Sequence, residues 1–298
     1  MERVDLKIGF LCNNRCKFCV QGDKREICEF KEKEELEKNL EESYREGKRE
    51  VVFTGGEPTL HPRFLDLVKY AKYLGFEEIQ IQTNGRLLSY YDFCVKIVKA
   101  GATQFSPAIH GHNAEIHDFL TSSPGSFEQT TQGVKNLRKL NQYILTNTVI
   151  TTRNYRFLPE IARLLMELDV DQFQFAFIHL GGRAYENRDW ITPKKSKAMP
   201  YIKKGLDIGI KAGKKVTTEA IPYCFMEGYE NCIAENIIPE AKVYDIDFTL
   251  DDYTNYRKTQ GKAKCPDCVK CKYFKVCEGP WKEYPELFGW EEFIPVVD

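Results

Sequence analysis

The chain reads as an α/β protein built on parallel strands and followed by a small cysteine-rich extension. Three observations predict this. Short apolar strands alternate with amphipathic helices through the first two hundred or so residues, which is the pattern of a parallel sheet covered by helices. Six such units fit a partial, TIM-like (β/α)6 barrel, assigned to residues 1–212. After about residue 190 the alternation changes character, and four of the eleven cysteines crowd into residues 265–277. The extension is therefore assigned to residues 213–298.

The elements follow in order. A strand over 3–11 runs straight into Cys12, Cys16 and Cys19. The helix expected over 31–46 is heavily charged, and its acidic run is read as a solvated face with i,i+4 pairs. A strand over 50–54 leads into Gly55-Gly56-Glu57-Pro58. Two glycines there let the backbone approach a ligand, and a carboxylate can pair with an ammonium. The bland reading is a glycine turn before a helix over 62–74 that ends at Gly75.

The third strand, 78–84, alternates cleanly and carries Gln82, Thr83 and Asn84 at its tip. The fourth, 103–110, sets Ser106, Ala108 and His110 on one face. His110 and His112 have i,i+2 spacing for a metal, but histidines at a barrel mouth more often make hydrogen bonds. The fifth, 143–151, carries Asn147 and Thr148 within an apolar run, where a hydrogen-bonded core asparagine is as good a reading as a ligand. A helix over 155–168 shows an apolar stripe at Leu158, Ile161, Leu164, Leu165 and Leu168. The sixth strand, 172–179, ends before Gly181-Gly182. A helix over 193–212 and a short strand over 215–221 then lead to Cys224.

Composition bounds the function. Hydrophobic residues are 42% and charged residues 29% of the 298, as in a soluble globular protein. The 43 basic and 44 acidic residues give a net charge of −1, so nothing electrostatic points to nucleic acid or an anionic membrane. No apolar run approaches the roughly eighteen residues of a membrane span, and no signal peptide is evident. A cytoplasmic protein is expected, in which eleven cysteines mean metal or redox chemistry before disulfides.

Three thiols within eight residues, Cys12 to Cys19, are soft donors suited to soft metals and iron–sulfur clusters. Three ligands can hold three irons of a 4Fe–4S cube and leave the fourth open. Half of a zinc site and buried structural cysteines are the competing readings; polar Asn13, Asn14, Arg15 and Lys17 between the thiols argue against a buried apolar run. The CxxxCxxC loop with Phe18 before its last cysteine resembles the signature of the radical S-adenosylmethionine (SAM) superfamily. Val51 to Pro58 resembles the second-strand GGEP motif of the same superfamily.

That resemblance implies a barrel core with a lateral opening, a cluster on Cys12, Cys16 and Cys19, and SAM held near Phe18, Gly55, Gly56, Glu57 and Pro58. It extends to Thr83 and Asn84 at the third strand's tip and to Ser106 and Asn147 on the fourth and fifth strands. Members often carry a serine where Ala108 stands, a departure on the fourth strand. The implied reaction is reductive cleavage of SAM to a 5′-deoxyadenosyl radical that takes a hydrogen atom from substrate. A ferredoxin or flavodoxin would supply the electron.

The second cysteine group, Cys265, Cys268, Cys271 and Cys277, has a spacing zinc would accept, though not that of a zinc ribbon. Its last three members are similar to the SPASM or twitch extensions behind many radical SAM cores. Such extensions bind auxiliary 4Fe–4S clusters and usually take one ligand from upstream. The resemblance thus implies Cys224, Cys268, Cys271 and Cys277 as ligands, with Cys265 as the competitor for Cys224. Cys28, Cys94 and Cys232 are left as spares. Substrates of such enzymes include peptides or proteins, the reading preferred here, and small molecules in cofactor synthesis. The competing class is an electron-transfer iron–sulfur protein, against which the GGEP motif counts.

Overall fold

The computed structural model of the chain describes residues 2–246 and 248–297. Among these described residues, nine strands form one sheet: β1 (Arg3–Lys7), β2 (Glu50–Thr54), β3 (Glu78–Thr83), β4 (Gln104–Pro107), β5 (Tyr143–Ile150), β6 (Gln172–Phe177), β7 (Lys215–Glu219), β8 (Ala241–Tyr244) and β9 (Thr249–Leu250). The first seven lie side by side in chain order, all parallel, from β7 at one side to β1. Strand β8 adds to β1 in parallel, and β9 pairs antiparallel with β8. The six expected strands are all present, and residues 213–298 supply β7 at one side of them and β8–β9 at the other.

Helices of at least two turns fill the connections: α1 (Lys33–Arg45), α2 (Phe64–Leu74), α3 (Tyr91–Ala100), α4 (Ala114–Thr121), α5 (Ser126–Lys139), α6 (Leu158–Glu167) and α7 (Lys195–Lys211). Most bury an apolar stripe, whereas α5 buries Ser126, Thr130, Thr131 and Asn136 beside Val134 and Leu137. In α6, Leu158, Ile161 and Leu165 are completely buried, as the period of 3.6 predicts. The expected helix over 155–168 begins instead with a 3₁₀ turn, Tyr155–Phe157. The residue before that turn, Asn154, is anchored: its side chain accepts the N–H of Thr151 at 2.7 Å and donates to the carbonyls of His110 and Val149. Helix α2 stops where Gly75 takes φ +101°, a conformation costly for any side chain.

Alternation along β1 sorts the two faces of the sheet. Val4 and Leu6 are buried beneath the helices. Lys242, level with Val4, reaches outward to Glu42 of α1 and to Glu46 just after it, at 2.8 and 2.7 Å. Arg3, Asp5 and Lys7 therefore face inward. Glu219 of β7 and Arg3 of β1, six strands apart, interact electrostatically, so the sheet curls into a barrel. Its interior is hydrophilic. Gln80 donates to Gln104 at 3.1 Å, Gln104 to Glu78 at 2.6 Å, and Gln174 to Glu219 at 2.8 Å. Side chains of this kind leave a lumen suited to hydrogen-bonding ligands, unlike the branched apolar layers that fill a closed barrel.

The cysteine-rich loop is pinched at its base, where Lys262 bridges Trp281 and the Ala263 N–H donates to Pro280. Buried ion pairs lock the pinch: Arg257 holds Glu278 through two bonds at 2.6 and 2.8 Å, and Lys262 approaches Glu278 at 3.1 Å. Removing one partner of such a pair typically costs about 3–5 kcal/mol. Trp281 stacks on His179 at 4.0 Å, joining the loop's base to the tip of β6. Among the described residues, no helix is long and apolar enough to cross a membrane.

Candidate active site

The loop bearing Cys12, Cys16 and Cys19 leaves the C-terminal end of β1 and is pinned from four directions. The N–H groups of Arg15 and Lys17 donate to the carbonyls of Thr121 and Leu120, each at 2.9 Å. Arg86 donates to the Asn13 carbonyl and, at 3.1 Å, to Asn14 Oδ1. Asn84 Nδ2 reaches Asn13 Oδ1 at 2.6 Å. The Arg183 N–H donates to the Cys19 carbonyl at 3.0 Å, and Asn187 to that of Lys17 at 2.9 Å. Asn14 is only 2% exposed, and Arg86 satisfies its buried oxygen. Sequence reading missed Arg86; its place just after Gly85, at the tip of β3, was the available signal.

The thiols are set for a cation. Burial, then the nearby Glu57 carboxylate, pushes the Cys12 thiol up to about 11. Burial raises Cys16 further still, followed by repulsion from Cys19 and Cys12. Buried thiols such as Cys12 and Cys16 become thiolates readily when a metal cluster supplies positive charge. The Asn14 N–H already points at Cys12 Sγ from 3.4 Å, a kind of contact that tunes cluster-bound sulfur. Phe18 is buried and meets His110 edge-to-face at 4.6 Å.

The GGEP turn abuts the same loop. Gly56 N–H donates to Gly9 O at 2.9 Å, and Glu57 N–H to Leu11 O at 2.8 Å. A methyl group on Gly56 would lie 2.4 Å from the carbonyl oxygens of Phe10 and Leu11; one on Gly55, at φ +122°, would lie 2.2 Å from Gly9 O. Only glycine fits there. The Glu57 side chain turns inward and is 2% exposed. Its oxygens accept from the Thr59 N–H at 3.1 Å, the Thr59 hydroxyl, the Thr83 hydroxyl at 2.7 Å and the Asn84 N–H at 2.6 Å. Four protein donors thus surround the carboxylate that the sequence suggested as an ammonium partner. Pro58 opens the 3₁₀ turn that follows.

Further round the mouth, Thr83 and Ser106 are buried and Ala108 bridges Asn147. Among the described residues, Asn147 Oδ1 is buried without a hydrogen-bond partner. An orphaned acceptor within β5, level with Ala108 just past the end of β4, suits a polar ligand. His110 does not: its Nδ1 accepts the Val149 N–H at 3.2 Å, and its own N–H donates to His117 Nδ1 at 3.1 Å. Burial drives both imidazoles toward the neutral form.

The second cysteine group frames a small cavity, whose lining includes Cys224, Cys268, Cys271 and Cys277. Burial, then repulsion from Cys277, Cys268 and Cys271, pushes the Cys224 thiol up to about 12. The four thiols thus feel one another, as ligands of one cluster must. Tyr223 stacks on Tyr273 at 4.5 Å, holding the Cys224 turn against the loop. Cys265 is buried outside this lining, its sulfur 3.2 Å from that of Cys268. Among the described residues, no three Cys, His, Asp or Glu side chains are arranged to hold a single metal ion.

Comparison with known proteins agrees with this geometry. Residues 6–165 match the family model of the radical SAM superfamily. The AdoMet-dependent heme synthase of Methanosarcina barkeri is 27% identical over 277 residues, covering 78% of this chain and 77% of that protein. A probable GTP 3′,8-cyclase of Sulfurisphaera tokodaii is 25% identical over 62% of this chain and 60% of its own. The fold also resembles that of Streptococcus suis SuiB bound to S-adenosylmethionine, with a TM-score of 0.69, 15% identity and coverage of 93% of this chain and 72% of SuiB. Native anSMEcpe with bound AdoMet gives 0.68 at 17% identity, covering 96% of this chain and 91% of that one. The family model spans over half of the chain and contains both the cysteine loop and the GGEP turn, so this protein belongs to the radical SAM superfamily and is an enzyme that binds a 4Fe–4S cluster and SAM.

Proposed function

We propose that the enzyme carries a second, auxiliary 4Fe–4S cluster in a SPASM- or twitch-like extension and modifies a peptide or protein. The observation that carries the cluster reading is the single cavity bounded by Cys224, Cys268, Cys271 and Cys277. Cys12, Cys16 and Cys19 would hold the first cluster. When bound, that cluster and SAM supply the radical that takes hydrogen from substrate; the chain's task is to bind, orient and exclude water. The backbone of Gly55 and Gly56, with Phe18, Pro58, Thr83, Asn84, Ser106 and the free Asn147 oxygen, would form the SAM site. Glu57 would shape that site by fixing Thr59, Thr83 and Asn84. A ferredoxin or flavodoxin is the electron donor we assign.

Support for a peptide substrate comes from fold neighbours solved with peptides, SuiB with its precursor peptide SuiA and anSMEcpe with the Kp18Cys peptide. A small-molecule substrate is the second reading, favoured by the heme synthase and cyclase names of the sequence relatives. Anaerobic reconstitution should yield about eight irons per chain, and about four when Cys12, Cys16 and Cys19 are all alanine. With dithionite, the reconstituted enzyme should convert SAM to 5′-deoxyadenosine. About four irons in the unaltered chain, with zinc at the C-terminal site, would remove the auxiliary cluster. Incubation with candidate peptides, followed by mass spectrometry, separates the two substrate readings.

A further inference from the structure

Ala220 is one of the few non-glycine residues with positive φ, at +58°. This left-handed conformation costs an alanine of order 1 kcal/mol or more, so neighbouring groups must impose it. Both of its backbone polar groups are held by side chains. The Ala220 N–H donates to Glu235 Oε1 at 2.7 Å, and its carbonyl accepts from Lys195 Nζ at 2.8 Å. Ala220 follows the last residue of β7, and four residues later the chain reaches Cys224. The kink thus sets the direction in which Cys224 is delivered.

Glu235 does more than hold Ala220. The same oxygen pairs with Lys262, which pairs in turn with Glu278, the residue after Cys277. The side chains of Glu235 and Lys262 are 8% and 1% exposed. One buried carboxylate therefore touches both arms that carry thiols to the cavity: the turn before Cys224 and the pinch beneath 265–277.

We propose that Glu235 is the positioning residue of the auxiliary site, holding Ala220 in its left-handed turn so that Cys224 meets Cys268, Cys271 and Cys277. This rests on the auxiliary-cluster reading above. The test is iron content and electron paramagnetic resonance of reconstituted, full-length variants. Glu235→Leu should fall from about eight irons to about four, while its remaining signal still responds to SAM. Glu235→Gln, which keeps an acceptor for the Ala220 N–H, should retain about eight. Adding Ala220→Gly to Glu235→Leu should restore the lost cluster, because glycine adopts positive φ without a brace. Full iron with both signals in Glu235→Leu, or no recovery with glycine, overturns the proposal alone. An unaltered chain holding about four irons overturns the auxiliary cluster and this proposal together.

Discussion

The Glu57 carboxylate accepts the backbone N–H of Asn84 at 2.6 Å, tying the loop after β2 to the loop after β3. Asn84 then passes the constraint on, donating to Asn13 at 2.6 Å and approaching Cys12 Sγ at 3.8 Å. Glu57 therefore reaches the cysteine loop through one intermediary. Glu57→Ala would strand buried donors on Thr59, Thr83 and Asn84, at about 1–3 kcal/mol for each one left unpaired. We expect a lower denaturation midpoint in urea and weaker SAM binding together. Weakened SAM binding with an unchanged midpoint would instead make Glu57 a direct contact of the SAM ammonium.

Much of this was legible in the sequence. Six strands and their order followed from alternation, and the cysteine loop and GGEP turn could be placed at strand ends before any coordinates. What stayed hidden depends on groups far apart in the chain. Nothing near Ala241 to Tyr244 announces that this short segment pairs with β1, because parallel pairing partners carry no local signal. The inward turn of Glu57 was equally unreadable: a carboxylate beside two glycines suits a ligand ammonium as well as it suits Thr83 and Asn84. Nothing in the sequence around Glu235 or Lys195 marks either residue out. Only the fold shows that they meet at Ala220.

The close fit of the GGEP turn on the β1 exit makes a second prediction. Gly56→Ala would drive a methyl to 2.4 Å from two carbonyl oxygens, both backbone, so neither can swing aside. The turn must move away from residues 10–11, and the SAM site widens with it. We expect 5′-deoxyadenosine formation to fall at least about tenfold, equivalent to about 1.4 kcal/mol in the barrier. Iron bound at Cys12, Cys16 and Cys19 should persist. Wild-type turnover by Gly56→Ala would show that this approach has no part in the reaction.

Thiol ionisation gives a third. Burial and then Glu57 raise the Cys12 thiol to about 11, so its thiolate fraction stays small until the solution approaches that pH. In iron-free protein, alkylation of Cys12 by iodoacetamide should keep accelerating well above pH 9, where an ordinary thiol near 8.5 has levelled off. Glu57→Gln removes the second cause and should shift the curve to lower pH. Peptide mass spectrometry of samples quenched across pH 7–10.5 reads both. A plateau at pH 9 in the unaltered protein would contradict the burial seen here.

The last prediction separates Cys224 from Cys265. Both lie near Cys268, but their surroundings differ. Cys224 lines the cavity with Cys268, Cys271 and Cys277, and repulsion from those three helps raise its thiol. Its turn is held by Tyr223 stacked on Tyr273, whose hydroxyl donates to Glu230 at 3.1 Å. Cys265 precedes the 3₁₀ turn Pro266–Lys270, and the Cys268 N–H donates to its carbonyl at 3.0 Å. That tight turn sets its sulfur 3.2 Å from the Cys268 sulfur, outside the cavity lining. Two ligands of one cube attach to different irons, which suits thiols spread around a cavity better than two in contact. Cys224→Ala should lose about four irons and keep the SAM-responsive signal, whereas Cys265→Ser should keep about eight. The opposite pattern would make the ligand set wholly local to residues 265–277 and leave Cys224 a packing residue at the end of its turn.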